Sequence, residues 1–115
     1  LGVPYAIDNL EFEVEEASYK DLAKELLSEM KVPIEENKDY VLMKVKVKNL
    51  SDENIEISED IFTPDEKSKL INISEPQPSF RTTLIGNSEY TNYIAIETSN
   101  ETPTIKIQGK EFLLS

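Results

Sequence analysis

The segment Val41–Asn49 constrains the fold more than any other part of the chain. Its apolar residues alternate with Lys44, Lys46 and Lys48. Alternation with a period of two is typical of a strand that has one apolar face and one solvated face. A polar turn follows, and the alternation resumes at Ile55. This pattern predicts antiparallel strands that pack in two layers, as in a β-sandwich.

Shorter segments of the same kind, separated by turn residues, make up most of the chain. We predict strands at Ala6–Glu16, Asp39–Asn49, Asn54–Ser58, Asp60–Thr63, Leu70–Ile73, Phe80–Leu84, Tyr90–Glu97, Thr104–Gln108 and Glu111–Leu114. The last two are expected to form a hairpin around Gly109 and Lys110. Many short strands with turns between them are typical of a sandwich or a small barrel.

One segment, residues 18–30, has a helical period. Its apolar residues recur at three- and four-residue intervals, which places them on one stripe of an α-helix. The stripe consists of Tyr19, Leu22, Ala23, Leu26, Leu27 and Met30. Ser18 is the predicted N-cap, and Pro33 helps to end the helix. We expect the stripe to cover the sandwich, because packing is what stabilises a short helix; docking on another protein is the alternative.

Opposite charges on two of the predicted strands indicate that these strands are neighbours. Glutamates occupy alternate positions of the first strand, and lysines occupy alternate positions of the longest one. The two sets are Glu11, Glu13 and Glu15, and Lys44, Lys46 and Lys48. In an antiparallel pair, each facing Glu–Lys couple contributes about 0.2–1 kcal/mol, which favours one register more than it adds stability.

Composition limits the classes of partner. The 115 residues predict a single domain, residues 1–115, that can bury a core of its own. The chain carries 23 acidic and 12 basic residues, a net charge of −11. Such a charge repels phosphate backbones and anionic lipid surfaces, so we predict neither nucleic-acid binding nor membrane docking, whereas cationic partners remain compatible. No apolar run approaches the ~20 residues of a spanning helix, so we predict no membrane insertion of this domain.

We predict that the protein is not an enzyme, with no catalytic, cofactor-binding or metal-binding residues. Histidine and cysteine are absent from the sequence, which removes the commonest general base near neutral pH and all thiol chemistry. Ser68–Lys69 and several paired carboxylates are the remaining candidates, and a solvated surface explains them better. Two acidic loop groups could offer oxygen ligands to calcium: Asp52, Glu53 and Asn54, and Glu59, Asp60 and Asp65. The tyrosines could bind sugars, but packing explains them better.

Three segments carry a resemblance to a known family. Residues 40–53, with their valine alternation, Asn49 and a polar turn, resemble the central strand and turn of an immunoglobulin-like domain family of unknown function. That family occurs in lipoproteins and secreted proteins of Gram-positive bacteria, and its members are sometimes mislabelled telomeric repeat-binding factors. Residues 83–97, around Gly86, resemble its second signature, and Thr104–Ile107 resembles its last strand.

The resemblance implies an immunoglobulin-like antiparallel β-sandwich with one inserted helix near residues 18–30. It also implies a non-catalytic binding or accessory module outside the cell, bound to another envelope or extracellular protein and lipid-anchored through a segment upstream of Leu1. Alternatives are a structural spacer in a larger surface protein and a carboxylate- or calcium-dependent enzyme. The expected contact elements are strand edges and the loops Pro64–Ser68, Glu75–Ser79 and Thr98–Glu101.

Overall fold

The computed structural model of the protein describes residues 3–71, 73 and 80–114. Its strands are β1 (Tyr5–Ile7), β2 (Leu10–Tyr19), β3 (Asp39–Asn49), β4 (Ile55–Ile57), β5 (Phe62–Pro64), β6 (Ser68–Ile71), β7 (Thr82–Leu84), β8 (Glu89–Thr98), β9 (Thr104–Ile107) and β10 (Lys110–Leu113). The α-helix α1 (Lys20–Glu29) lies between β2 and β3, and a short 3-10 turn (Glu59–Ile61) precedes β5. The predicted loop Glu75–Ser79 lies outside the described residues.

The described strands form a two-layered β-sandwich, which confirms the predicted mainly β fold class. One layer is a five-stranded antiparallel sheet in the order β1-β2-β3-β8-β6. The other layer consists of a three-stranded sheet, β10-β9-β5, and the pair β4-β7. Side chains from all three sheets meet in one apolar core. Its fully buried members include Phe12, Val45, Val47, Phe80, Ile96 and Ile107.

Strand β3 is buried on both faces at its start, which explains the unbroken apolar run there. Val41 and Met43 point into the sandwich core, whereas Tyr40 and Leu42 belong to a second cluster beneath the helix. Beyond the helix the outer face meets solvent, and lysines replace the apolar residues at alternate positions. The single-faced alternation predicted from the sequence therefore holds for the second half of β3.

The helix begins later than predicted, and the predicted N-cap is wrong. Ser18 belongs to β2, where it pairs with Leu42 of β3. Tyr19 occupies the N-cap position with an extended backbone, and Lys20 turns the chain with a φ of 52°. The strand therefore passes directly into the helix. Packing of α1 against the sheet takes the place of a side-chain cap as the source of helix stability.

Part of the predicted apolar stripe covers the sheet. Ala23 and Leu27 are fully buried against the outer face of the five-stranded sheet, which confirms that α1 covers the sandwich. Leu22 and Met30 are 54% and 40% exposed, and Tyr19 packs into the sandwich core instead. A short helix that packs on one face of a sheet buries only its central contact row. Within the described residues, no helix has the length and apolar character needed to cross a membrane.

Three predicted strand boundaries are wrong, because the chain turns at residues where the apolar–polar alternation of the sequence continues without a break. The segment Ala6–Glu16 is two strands, β1 and β2, joined at Asp8, which has a φ of 56°. The final hairpin turns at Gln108 and Gly109, with φ values of 50° and 87°, one residue before the predicted position. Two-residue hairpins favour positive φ at both central positions. The strand predicted at Asp60–Thr63 begins as the 3-10 turn.

The predicted pairing of the glutamate and lysine strands is confirmed. β2 and β3 are antiparallel neighbours, with Glu11 opposite Lys48 and Glu13 opposite Lys46. The Nζ atom of Lys46 lies 3.6 Å from Glu13 Oε1 and 4.0 Å from Glu15 Oε2. The expected approach of carboxylate and ammonium groups is therefore present in the structure.

A β-bulge shifts the register in the middle of β2. The irregularity lies between Val14 and Glu16, so that Glu16, not Glu15, faces Lys44. A bulge inserts one extra residue into one strand and reverses the faces that follow. Inward positions accordingly change from Phe12 and Val14 to Ala17 and Tyr19, which also pack against the sandwich core.

Candidate functional site

Two of the three predicted contact loops meet at one end of the sandwich. Asp65, in the loop before β6, connects them through its carboxylate. Its Oδ1 accepts hydrogen bonds from the backbone N–H of Lys67 at 2.9 Å and the hydroxyl of Ser68 at 3.0 Å, and its Oδ2 accepts one from Thr104 N at 2.8 Å. The Ser68 hydroxyl also lies 2.6 Å from Thr98 Oγ1. The loops Pro64–Ser68 and Thr98–Glu101 therefore form one surface.

Both oxygens of the Asp65 carboxylate accept hydrogen bonds from groups of the same chain. Burial raises the pKa of this carboxyl, but the hydrogen bonds from Thr104, Lys67, Ser68 and Asn100 outweigh that effect, so its pKa lies below the ordinary value of 3.8. Donors that hold the charged form favour it. This arrangement makes Asp65 a structural link between loops, because the lone pairs that a ligand needs are already engaged.

The two acidic groups considered for calcium do not assemble. Asp52 Oδ1 accepts a hydrogen bond from Asn87 Nδ2 at 3.0 Å, and Glu59 Oε1 lies 3.1 Å from Nη2 of Arg81. Asn54 Oδ1 accepts from the backbone N–H of Gly86 at 3.3 Å. In the part of the chain that the structure describes, no group of three or more acidic, histidine or cysteine side chains could hold a metal ion.

The other candidate for enzyme chemistry is the pair Ser68–Lys69. Each of its two side chains contacts a different part of the fold. Ser68 bonds within the loop end, and Lys69 Nζ lies 3.5 Å from Glu97 Oε1 on the neighbouring strand. The second oxygen of Glu97 accepts a hydrogen bond of 2.8 Å from the hydroxyl of Tyr40. Burial raises the pKa of Tyr40, and the adjacent carboxylate of Glu97 acts in the same direction. The hydrogen bond that the Tyr40 hydroxyl accepts from the backbone N–H of Glu35 opposes this increase. Serine and lysine therefore do not form a nucleophile–base pair.

The first two of the segments that carry the family resemblance, residues 40–53 and 83–97, meet at the other end of β3. The fully buried Asn49 donates from Nδ2 to the carbonyl of Glu53 at 2.6 Å and to that of Leu84 at 3.0 Å. Its Oδ1 accepts from the N–H of Ser51 at 2.9 Å. A Cβ at Gly86 would lie 2.5 Å from the carbonyl oxygen of Asp52, so only glycine fits there. The signature residues thus hold two turns together.

An apolar groove of about 110 Å³ opens between the two layers of the sandwich. Val14, Ala17 and Tyr19 of β2 line one side of it, and Phe112 and Leu113 of β10 line the other. Leu113 is 64% exposed. Strand edges were expected contact elements, but the groove itself cannot be predicted from the sequence, because the strands that border it are far apart in the chain.

Tyr5 of β1 also lines the groove. Its ring lies 5.5 Å from that of Phe12 and 5.2 Å from that of Phe112, and the ammonium of Lys110 lies 4.5 Å above it. Burial raises the pKa of Tyr5 to about 12, and its hydroxyl donates to the carbonyl of Ile107 at 3.4 Å. This tyrosine therefore packs within the fold and is not an exposed platform for sugars.

Comparison with known proteins gives one fold relationship. No family model matches the chain, and no curated protein matches it. The chain resembles the crystal structure of the predicted lipoprotein YcdA from Bacillus subtilis, with a TM-score of 0.64 over 96% of this chain. The two sequences are 9% identical, and the chain spans 37% of the length of that protein. The protein therefore shares its fold with part of YcdA.

Proposed function

We propose that the protein is a non-catalytic binding module of a bacterial cell-envelope lipoprotein or secreted protein. The apolar groove between β2 and β10 is the observation that carries this proposal, because concave apolar surfaces bordered by polar groups are where folded domains bind partners. The likeness to a protein described as a lipoprotein supports a location in the envelope. A lipid anchor upstream of Leu1 and an immunoglobulin-like strand arrangement belong to the same proposal.

The polar groups near the candidate residues are already hydrogen-bonded within the chain, which supports a non-catalytic role. The sequence has no histidine and no cysteine. The carboxylate of Asp65, a candidate ligand, and that of Glu97, beside Ser68–Lys69, both accept hydrogen bonds from donors of the chain itself. A general base needs a lone pair directed at a substrate proton. A surface that binds through apolar contacts has no such requirement, and the groove fits it better.

The spacer alternative predicts a different surface. The molecule measures 45 × 28 × 22 Å, and such an elongated form is suited to separating other domains. A spacer gains nothing from Leu113 and Val3, which are exposed at the groove. Exposed apolar side chains favour association, so a domain that binds nothing is under pressure to replace them.

Site-specific photo-crosslinking in living cells tests the binding role. A benzophenone amino acid is placed at Leu113 in the groove and, as a control, at Asn37, an exposed position outside it. We expect crosslinks from position 113 to a defined extracellular protein, recovered with the envelope fraction. Crosslinks that are absent at position 113, or that are the same from both positions, would contradict the proposal.

A further inference from the structure

Within the described residues, the edge of β2 beside the groove is open over most of its length. β1 covers β2 only from Leu10 to Phe12, and β3 occupies its other side. Among the described residues, no strand pairs with the remaining segment, Glu13–Tyr19, on the side away from β3. Backbone N–H and C=O groups along such an edge are available to another extended chain.

The groove lies directly beside this open edge. The inward side chains of the open segment are Val14, Ala17 and Tyr19, and all three line the groove. Across the groove, β10 is itself the outer strand of its sheet. A strand added to β2 would therefore place alternate side chains into the groove and the others in solvent, as the pleat of a sheet requires.

Strand β3 shows what complements β2. On the closed side of β2, it presents valines to the core and lysines to the glutamates of the solvated face, with Lys46 between Glu13 and Glu15. The open side of β2 presents the same glutamate row, together with the exposed Glu16. The overall charge of −11 acts in the same direction. A second strand with lysines or arginines at alternate positions would repeat the pairing that β3 makes.

We propose that the groove binds an extended peptide segment of alternating apolar and basic residues, which adds as a strand to Glu13–Tyr19 of β2. The proposal rests on the proposed binding function and specifies its ligand. The apolar residues of the peptide pack between Ala17 and Leu113, and its cationic residues lie beside Glu13 and Glu15.

A second copy of the chain fits this edge less well. Two β2 edges side by side would bring two sets of glutamates onto one face, and like charges on neighbouring strands repel. The bulge between Val14 and Glu16 adds a local twist. Bulges are a device by which proteins discourage rigid edge-to-edge pairing. A flexible peptide can follow the twist, whereas an identical bulged strand cannot.

The test uses a capped synthetic peptide of alternating lysine and valine, seven residues long, titrated into the isotopically labelled protein and followed by NMR. We expect saturable shifts concentrated in Glu13–Tyr19 and Lys110–Leu113. A version of the peptide with N-methyl groups on alternate backbone nitrogens retains the charge and loses the ladder hydrogen bonds. It should bind at least tenfold more weakly.

Matched protein variants locate the site. Ala17→Arg fills the groove and should weaken binding at least tenfold, whereas Leu22→Arg, on the exposed side of α1, adds the same charge and should change it less than twofold. The NMR spectrum of each variant checks that it is folded. Equal binding of the N-methylated peptide, or shifts spread over all acidic surfaces, would show charge attraction alone and overturn the proposal.

The outcomes separate this proposal from the function on which it rests. Crosslinks at position 113 without binding of the alternating peptide would leave the binding function in place and overturn strand addition. Sedimentation experiments test whether the protein forms a dimer. A dimer that is abolished by Ala17→Arg would assign the groove to a second copy of the chain and would also overturn the peptide proposal. Localised binding that requires the peptide backbone supports it.

Discussion

At the scale of single residues, the buried amide of Asn49 has the most consequences. Its side chain satisfies two carbonyls and two donors of the turns on either side, including the hydroxyl of Ser51 at 2.8 Å. An amide has both donors and acceptors, and this site uses both. No other common side chain of that size offers the same combination, so Asn49 fixes how the turn after β3 meets the turn before β8.

Replacing Asn49 by alanine should lower the free energy of unfolding by about 2–3 kcal/mol, because the buried carbonyl and N–H partners would lose their hydrogen bonds. Urea denaturation of Asn49→Ala and of the exposed control Asn37→Ala measures this difference. The control should stay within about 0.5 kcal/mol of the wild type. Equal effects of both substitutions would show that the amide network does not contribute.

Asp65 should make part of the stability depend on pH. Its pKa in the folded protein lies below the unfolded value of 3.8, so its contribution is complete above about pH 5 and is lost as the pH falls through the folded pKa. Asp65→Asn should therefore cost about 1 kcal/mol at pH 6 and much less at pH 2.5. Denaturation at both pH values, with Glu66→Gln as the exposed control, measures this. A cost that is independent of pH would contradict the assignment.

At the scale of elements, β3 and α1 depend on each other. The helix supplies the apolar cover for the outer face of β3, and β3 supplies the surface that keeps a ten-residue helix folded. Isolated helices of this length are marginal in water. The helix is therefore maintained by a few contacts, with Ala23 and Leu27 at their centre.

Leu27→Ala should lower the free energy of unfolding by about 2–4 kcal/mol, because it leaves a cavity between α1 and the sheet. Leu22→Ala removes the same atoms from a side chain of the same helix that is 54% exposed, and it should cost less than about 0.5 kcal/mol. Thermal and urea unfolding of the two variants compare them. Similar losses would mean that α1 is not held by its buried row.

Most elements can be predicted from the sequence, because the burial of one strand face produces a local alternation of apolar and polar residues. The lysines of β3 and the glutamates of β2 show this alternation. The sequence pattern misplaces the turns at Asp8 and Gln108, because both residues lie within continuous alternation and adopt positive φ for reasons set by the strands that they join. The bulge at Glu15 is similarly invisible, since an extra residue leaves no mark in composition. The groove could not be predicted, because it depends on which strands stand at the edges of two different sheets.

At the scale of the whole molecule, strand pairing and burial are greatest at β3 and decrease toward the outer strands of the sheets. β3 has a strand on each side and, over part of its length, apolar cover on both faces. β1 and β10 each have a single described neighbour and stand beside the groove. The groove is thus bordered in part by strands with a single described neighbour, whereas β3 is paired on both sides.

Hydrogen exchange should follow this order. Backbone amides of Val41–Val47 should exchange slowest, because their opening requires unfolding of the whole domain, while those of β1 and β10 should exchange at least tenfold faster through local opening. Mass spectrometry of exchanged, digested protein measures both. Uniform protection across these segments would show that the borders are as stable as the centre.

The direct passage from β2 into α1 has a mechanical consequence. Tyr19 lines the groove on the inner side of the sheet, and the very next residue, Lys20, starts the helix that rests on the outer side. Because no loop separates the two elements, we expect a displacement of the last residues of β2 to reorient the helix. Binding in the groove should therefore change the fluorescence of a dye attached to the solvent-facing flank of the helix, on the opposite surface of the sheet.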